Sequence, residues 1–408
     1  MSKLLNINNY HYPRGGSDVV YFRHAEIFGE MGWNNAYFSM HHPKNVQSEW
    51  SDYFVDELEL GHQYSLWKKV LMAGKVVYSF EAQRKLNKLL DQFQPDVAHL
   101  HCIYHHLSPA ILPVLKNRGV PVVMTAHDLK LACPAYLMLN KTGICEKCSD
   151  GNVLNVIKHK CIKGSTIAST IVGMEAWVNQ QLNTWHDNLD AVVVPSKFYI
   201  EKFVQWGMPR ERFHYVPNFV EAGLFEPDYE PGDYFLYFGR LSWEKGVPTL
   251  IRAAAKAGVK LKLAGTGPED AQLRQLAADL GADAEFMGFC AGEKLHGLIK
   301  NSRAVILPSE WYENAPMSVL ESFALGKPVI GADIGGIPEL LRPGLSGWTF
   351  PSADVDALAA RIGEVAGMGS AQLRDMGMQS RRMVETEFSR QRYSDGVRDV
   401  YAGLGVMN

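Results

Sequence analysis

Residues Tyr234–Gly246 read YFLYFGRLSWEKG, and this stretch decides the fold. Its five leading apolar residues predict a strand buried on both faces, as in a parallel sheet. Gly239 then lets the backbone turn sharply where the strand ends. The loop that follows carries Arg240 and Lys245 at the mouth of the sheet, where an Arg fork and a Lys point charge suit a diphosphate. A solvated loop with two ordinary surface cations is the simpler alternative.

Short apolar runs alternate with helical patterns on both sides of this stretch. Such alternation predicts βαβ units and parallel sheets. A chain of 408 residues is too long for one ordinary core, so we expect two domains. Residues 226–232 are rich in Pro, Gly and acids and indicate the boundary between them. The predicted strands span 4–8, 97–100, 120–125, 191–195 and 213–217 before it, and 234–238, 260–263, 284–287, 304–307 and 328–331 after it.

A second informative segment, residues 313–321, reads ENAPMSVLE. Pro316 predicts the first residue of a helix, which leaves Glu313 in the preceding loop and Glu321 one to two turns inside the helix. The free N–H groups and the positive dipole end of such a helix form an anion site. A carboxylate, a phosphate cradle and a second carboxylate in this order fit a nucleotide sugar. The alternative is a capped surface helix with acidic residues near its start.

The two segments together carry a family resemblance. Gly-Arg-x4-Lys-Gly, followed about 70 residues later by Glu-x7-Glu, resembles the donor-binding domain of retaining glycosyltransferases of family 4 (group 1 type). The resemblance is almost continuous in the second half and thinner in the first, where it rests on Gly15-Gly16 and His127-Asp128. It implies the α/β GT-B fold, in which two Rossmann-like parallel-sheet domains face each other across a cleft. The implied domains are 1–221 for the acceptor and 222–387 for the donor, with a helix at 388–408 packing back on the first.

The resemblance also implies roles for individual residues. Arg240 and Lys245 would hold the donor diphosphate, and Glu313 and His127 would face the transferred sugar. Asn314 departs from the family pattern, which usually has Gly after the first Glu, and this bears on the choice of sugar. The implied binding residues for the nucleotide sugar, with Glu321 on the ribose and Gly288 and Phe289 near the base, are Gly16, Gly239, Gly288, Phe289, Asn314, Ala315, Pro316, Met317, Ser318 and Glu321.

The implied reaction is a hexosyl transfer with retention, from a UDP- or GDP-linked sugar to a glycan acceptor. We expect a lipid-linked acceptor at the inner face of a membrane, as in surface polysaccharide assembly. No catalytic metal is expected, because Arg240, Lys245 and the helix N-terminus can meet the charge of the leaving group. Asp354-Val355-Asp356 is the only Asp-x-Asp and reads as a helix cap rather than a metal clamp.

Three other functions compete with this prediction. A catalytically silent glycan-binding subunit is disfavoured by the intact Arg, Lys and Glu motifs, and a nucleotide-sugar epimerase by the Glu-x7-Glu pattern. A nicotinamide-dependent dehydrogenase is disfavoured because Asp270 replaces the third Gly of the dinucleotide fingerprint that would begin at Gly265.

Charge and hydropathy limit the partners. The formal net charge of −3 gives no global attraction to nucleic acid, and no apolar run approaches the length of a spanning helix. The first residues lack a secretory pattern, so a cytoplasmic location is expected. A mixture of aromatic and basic residues, which includes Trp67, Lys68, Lys69, Arg84 and Lys85, suits docking on an anionic membrane surface, although a helix with a solvated basic face fits equally well.

Four cysteines form a separate cluster between residues 133 and 161. Cys145 and Cys148 have the Cys-x2-Cys spacing that lets two thiolates bind one tetrahedral ion, and Cys133 and Cys161 flank them. The segment has little apolar content, and a metal would supply the missing stability. We therefore predict a structural zinc site, with a redox pair at Cys145 and Cys148 as the main alternative.

A histidine cluster follows the strand predicted at 97–100. His99 and His101 share one face of this strand, so a metal pair, hydrogen bonding to an acceptor and ordinary packing are all open.

Overall fold

The computed structural model describes residues 1–58 and 66–407, with the side chains of residues 66–70 excepted. The chain divides into two compact units, each built on a parallel sheet. The N-terminal unit contains Met1–Pro195, Ile200–Val216 and Ser394–Asn408, and the C-terminal unit contains Ser196–Tyr199 and Pro217–Tyr393.

The strands follow the predicted alternation with helices. In chain order they are β1 (Lys3–Ile7), β2 (Asn34–Phe38), β3 (Val97–Leu100), β4 (Val122–Thr125), β5 (Leu139–Asn140), β6 (Gly143–Ile144), β7 (Ala191–Val194), β8 (Phe213–Tyr215), β9 (Tyr234–Phe238), β10 (Lys260–Ala264), β11 (Ala284–Gly288), β12 (Ala304–Leu307), β13 (Val329–Asp333) and β14 (Gly347–Pro351).

The helices are α1 (Gly16–Glu30), α2 (Leu66–Val77), α3 (Phe80–Gln92), α4 (Leu112–Asn117), α5 (Leu154–Lys158), α6 (Thr166–Gln181), α7 (Thr184–Asn188), α8 (Lys197–Gln205), α9 (Val247–Ala257), α10 (Asp270–Asp279), α11 (Gly292–Lys300), α12 (Met317–Ala324), α13 (Ile337–Leu340), α14 (Val355–Gly367), α15 (Ser370–Thr386) and α16 (Arg390–Gly403).

The main sheet of the N-terminal unit has the strand order β2-β1-β3-β4-β7-β8, and every pair in it is parallel. The order reverses between β1 and β3, so the loops after these two strands diverge and leave a crevice at their carboxyl ends. The loop after β1 leads into α1 at Gly16, and the loop after β3 carries the histidine cluster. β5 and β6 form a separate antiparallel pair within the cysteine segment.

The sheet of the C-terminal unit has the order β11-β10-β9-β12-β13-β14, again with parallel pairs throughout. All five residues of β9 are buried, because helices cover both faces of the sheet. One core cluster packs α9 and α14 on one face through residues such as Leu250 and Ile362, and a second packs α12 and α15 on the other through Phe323 and Met383. The order reverses between β9 and β12, and this reversal positions the site described next.

Candidate active site

The site begins where β9 and β12 diverge at the centre of the C-terminal sheet. The loop after β9 carries residues 239–246, and the loop after β12 carries residues 308–316. The two motifs that are far apart in the sequence therefore emerge from neighbouring strands. Ligands of open α/β sheets bind at such a switch point.

Lys245 and Glu313 form an ion pair across these two loops. The Lys245 Nζ lies 2.7 Å from Glu313 Oε1, and Ser309 Oγ donates a hydrogen bond of 2.7 Å to the same oxygen. The side chain of Glu313 is 8% exposed and that of Lys245 is 22% exposed. The ammonium also lies 4.7 Å from the centre of the Trp311 ring, within the range of a cation–π contact.

The ionisation of Glu313 is set by opposing effects. Burial by itself would raise the pKa of this carboxyl, but the charge of Lys245 and the hydrogen bonds from Lys245 and Ser309 outweigh it and lower the pKa below its usual value. The carboxylate is therefore ionised at neutral pH. The buried Glu313 carboxylate thus holds the partly exposed Lys245 ammonium in a fixed position, so the positive charge is preorganised.

Close backbone packing holds the two loops together. The N–H of Glu310 donates to the carbonyl of Glu244 over 2.8 Å. Gly246 has a φ of +67°, and a Cβ on it would lie 1.9 Å from the carbonyl oxygen of Pro308. Only glycine fits both the left-handed backbone and this close approach.

A third loop, which follows β13, supports the segment that begins at Glu313. The N–H of Gly336 donates to the Glu313 carbonyl over 2.8 Å, and a Cβ on Gly336 would lie 2.0 Å from the Asn314 carbonyl oxygen. The side-chain amide of Asn218 donates to the Ala315 carbonyl over 2.9 Å. Residues 313–315 are thus fixed through their backbone, from two sides.

The helix after this segment starts one residue later than predicted. Pro316 has an extended backbone, with ψ at 123°, and serves as the N-cap, so α12 begins at Met317. Proline fixes φ but leaves ψ free, which suits a cap as well as a first turn. Glu321 lies in the second turn of α12, and burial raises the pKa of its carboxyl to about 7.

Other residues predicted to bind the nucleotide sugar lie at the carboxyl edge of the same sheet. Gly239 directly follows β9, and its N–H donates to the Ala264 carbonyl over 2.9 Å, while the Gly265 N–H donates to the Gly288 carbonyl over 2.8 Å. Arg240 is exposed, and Phe289 is 75% exposed.

Asp354 is a helix cap, as predicted. Its side chain accepts a hydrogen bond of 2.9 Å from the Ala357 N–H at the start of α14. Asp356 forms an ion pair instead, with its Oδ1 2.8 Å from the Lys256 Nζ. The Asp-x-Asp sequence therefore has a local structural explanation.

In the N-terminal unit, His127 follows β4 and lies against the histidine cluster. Its Nε2 is 2.8 Å from Nδ1 of His101. Burial lowers the pKa of His127 to about 4, so its imidazole is neutral at physiological pH. Gly16 is the first residue of α1, behind Gly15, whose N–H donates to the Asp18 carboxylate over 3.1 Å.

The four cysteines of the predicted zinc site come together in space. Together with apolar neighbours such as Val156 they line one cavity of about 10 Å³, and all four are free thiols. Nevertheless, within residues 1–58 and 66–407, no group of three or more His, Cys, Asp or Glu side chains is arranged so that it could hold a metal ion. The structure brings the predicted ligands together, but not in an arrangement that would hold an ion as it stands.

The predicted membrane-docking region is described only in part. The side chains of Trp67, Lys68 and Lys69 lie outside the described residues. Of the other basic residues, Lys75 and Lys85 both pair with Glu81, at 2.5 and 3.4 Å. No helix in the described part of the chain has the length and apolar character needed to cross a bilayer.

Two family models together match most of the chain. Residues 14–223 match the model of Glycosyltransferase Family 4, and residues 226–383 match that of Glycosyl transferases group 1. The chain therefore belongs to the glycosyltransferase family that these two models describe.

Individual relatives are more distant. The amylovoran biosynthesis glycosyltransferase AmsK of Erwinia amylovora is 28% identical over 210 residues, which are 48% of this chain and 51% of AmsK. The chain spans only 35%, 40% and 51% of the length of several curated relatives.

Among solved structures, sucrose-phosphate synthase from Thermosynechococcus elongatus is 19% identical, with a TM-score of 0.70 over 99% of each chain. HepE from Anabaena in complex with UDP and glucose is 17% identical, with a TM-score of 0.67 over 100% of each chain. These likenesses confirm the predicted fold class of two Rossmann-like parallel-sheet domains.

Proposed function

We propose that this glycosyltransferase moves a hexosyl unit, with retention, from a UDP- or GDP-linked sugar to a glycan acceptor in surface polysaccharide assembly. The observation that carries the proposal is the Lys245–Glu313 pair at the switch point of the C-terminal sheet. A buried carboxylate beside a held cation offers one acceptor for sugar hydroxyls and one positive charge for a phosphate. AmsK, a relative, acts in amylovoran biosynthesis, and HepE was solved with UDP and glucose, which favours the same class of donor and product.

Each proposed role follows from the chemistry of the group. Lys245 and the exposed Arg240 meet the diphosphate, and the N–H groups at the start of α12 add the positive end of a helix dipole. Glu313 accepts hydrogen bonds from the transferred sugar, and Glu321 accepts them from the ribose. His127 and Gly16 are assigned to the sugar and the diphosphate by the family resemblance.

The proposed reaction needs no nucleophile from the protein. The bond between the sugar C1 and the diphosphate oxygen breaks, and a bond from C1 to an acceptor hydroxyl oxygen forms on the same face. The departing phosphate takes the hydroxyl proton, so charge and protons balance within the two substrates. Positive groups aimed at the leaving diphosphate lower the barrier because its charge develops in the transition state.

A donor screen tests the proposal directly. A nucleotide sugar that binds the folded chain at 100 times its Kd should stabilise it by about 2.7 kcal/mol, which a thermal-shift assay detects. We expect a UDP- or GDP-sugar to give such a shift in the wild-type chain and a smaller one in Arg240→Ala. The bound sugar should then be transferred to a glycan acceptor, with NMR reporting an unchanged anomeric configuration. Absence of any shift across the UDP- and GDP-sugars, or an inverted product, would refute the proposal.

The acceptor is proposed to be lipid-linked, with the protein peripheral on the inner face of the membrane. Arg84 and the region around it would then contact anionic lipid, and binding should weaken as salt screens the charges. The chain should co-sediment with phosphatidylserine vesicles at low salt and much less with neutral vesicles. Equal recovery with both kinds of vesicle would contradict this part of the proposal.

The four-cysteine segment, residues 133–161, is proposed to bind structural zinc. Its support is that all four thiols line one cavity of about 10 Å³, close to the space that one water-sized sphere occupies. The thiols must lose their protons and draw in to sulfur–zinc distances of about 2.3 Å when the ion binds. Such a site would fix the loop without taking part in the transfer.

A further inference from the structure

His101 is a buried residue of the N-terminal unit whose ring has one partner and one unpaired nitrogen. Its side chain is 0% exposed. Its Nδ1 lies 2.8 Å from Nε2 of His127, whereas its Nε2 is buried without a hydrogen-bond partner. An unpaired polar atom in such a place calls for a physical explanation.

Both rings are neutral, so each carries one N–H. Burial lowers the pKa of His101 well below its usual value, with smaller contributions from neighbouring histidines, and burial lowers the pKa of His127 to about 4. A single proton therefore lies in the hydrogen bond between them. It belongs either to His101 Nδ1 or to His127 Nε2.

The two arrangements differ in what they leave at His101 Nε2. If His127 donates, the proton of His101 must sit on Nε2, where a buried N–H finds no acceptor. If His101 donates from Nδ1, its Nε2 is only an unused lone pair. A buried N–H without an acceptor carries a penalty of about 1–3 kcal/mol and is rarer than an unsatisfied acceptor. The second arrangement is therefore the stable one.

The neighbouring His99 ring cannot accept a hydrogen bond from an N–H at His101 Nε2. His99, whose ring centre lies 5.2 Å from that of His101, has both nitrogens occupied. Its Nδ1 is 2.7 Å from the Tyr401 hydroxyl, and its Nε2 is 2.7 Å from Thr125 Oγ1. On its other side the Tyr21 ring meets His101 edge-on at 5.5 Å.

We infer that His101 is a positioning residue that holds His127 with its proton on Nδ1. In this tautomer His127, a half-buried residue, carries an N–H donor rather than a lone pair at Nδ1. It can therefore meet an accepting oxygen, such as a sugar hydroxyl oxygen, and cannot act as a base from that nitrogen. The inference about the tautomer rests on the hydrogen-bond geometry and on both rings being neutral, whereas its effect on transfer rests on the proposed contact between His127 and the sugar.

The tautomer can be read without an activity assay. In full-length protein labelled with 15N-histidine, the His127 signals are assigned by their loss in His127→Ala. We expect the wild-type spectrum to show a protonated Nδ1 and an unprotonated Nε2 at His127. His101→Asn, whose amide N–H can replace the Nδ1 donor, should keep this pattern, and His101→Leu should lose it. A protonated Nε2 at wild-type His127 would overturn the inference.

Transfer kinetics test the consequence. His101→Leu should lower kcat on the order of tenfold, the loss of about one hydrogen bond, while His101→Asn should restore most of it. In a His127→Ala background, His101→Leu should have no further effect, because the residues act as a unit. Equal losses in the Leu and Asn variants, or a full additional loss in the double variant, would show a merely structural role. If His127→Ala transfers normally, the proposed sugar contact fails, and the NMR spectrum still decides the tautomer.

Discussion

Replacing Lys245 with Met removes the cation that pairs with Glu313 and leaves this carboxylate buried without its ionic partner. Glu313 is 8% exposed, and the Lys245 Nζ lies 2.7 Å from its carboxylate. Ser309 still donates to this group, but it carries no charge. The variant should therefore lose both folding stability and transfer, for two separable reasons.

The magnitude follows from the geometry. Breaking a buried ion pair by removing one partner costs about 3–5 kcal/mol, and the 22% exposure of Lys245 places this pair at the lower end, near about 3 kcal/mol. For a unit of this size, that should lower Tm by roughly 6–12 °C. Loss of one preorganised charge at the leaving group should lower kcat by about 10²–10³.

Two further variants separate the effects. Arg240→Ala changes an exposed cation in the same loop, so it should lower transfer while leaving Tm nearly unchanged. The double variant Lys245→Met with Glu313→Gln has no unpaired buried charge, so its Tm should return toward the wild-type value while transfer stays low. Calorimetry and initial rates with a saturating donor measure both quantities. A Lys245→Met protein with wild-type Tm and near-normal kcat/KM would refute the reasoning.

The shorter predictions concern Glu321, Gly336, divalent metal ions and the four-cysteine segment. The pKa of Glu321 is raised to about 7, and ribose hydroxyls donate better to the ionised carboxylate. The protein should therefore bind UDP or GDP more tightly as pH rises through 7, and calorimetry should detect proton release on binding. In Glu321→Gln this pH dependence should vanish. The raised pKa has the opposite effect on the folding stability of the ligand-free protein. The folded state keeps the Glu321 proton to higher pH than the unfolded state does, so the free energy of unfolding from urea titrations should fall as pH rises from 4.5 to about 7. Gly336→Ala should lose donor affinity and about 1–3 kcal/mol of stability, because its Cβ would lie 2.0 Å from the Asn314 carbonyl, whereas Gly363→Ala, with nothing within 4 Å, should be neutral or stabilising in the same melts. Brief treatment with EDTA should leave transfer activity intact. A loss of activity that only Mg²⁺ or Mn²⁺ restores would contradict the proposal that the protein supplies the positive charge. Elemental analysis should find about one zinc per chain in the four-cysteine segment, and four freely titrating thiols without zinc would refute that site.

The sequence predicted the central strands of the C-terminal sheet with little error. β9 and β12 have the predicted bounds, Tyr234–Phe238 and Ala304–Leu307, because a strand buried on both faces is a continuous apolar run. β2 and β14 were not predicted. Asn34–Phe38 begins with two polar residues, and Gly347–Pro351 is bounded by Gly and Pro, so neither shows the pattern of a buried strand.

The sequence motifs indicated residues of the candidate site, but not the contacts between them. The motifs indicated Lys245 and Glu313 separately, and their pairing depends on the reversal of strand order between β9 and β12, which no local pattern records. Ser309 and Trp311 were missed because each acts only through a partner brought close by the fold. Their position in the loop between β12 and Glu313 could have indicated that they belong to the site.

The N-terminal unit is completed by the last residues of the chain. Ser394–Asn408 belongs to it, and Tyr401, which is 0% exposed, packs against Phe28 and hydrogen-bonds His99. A ribosome releases residues in order, and domains generally fold as units during synthesis. The C-terminal unit has all its residues once Tyr393 has emerged, whereas the N-terminal unit must wait for Tyr401. The N-terminal unit is therefore synthesised first but completes its fold last. A premature stop between Tyr393 and Tyr401 would leave the C-terminal sheet intact but would remove the side chain that packs over the buried histidines of the N-terminal unit.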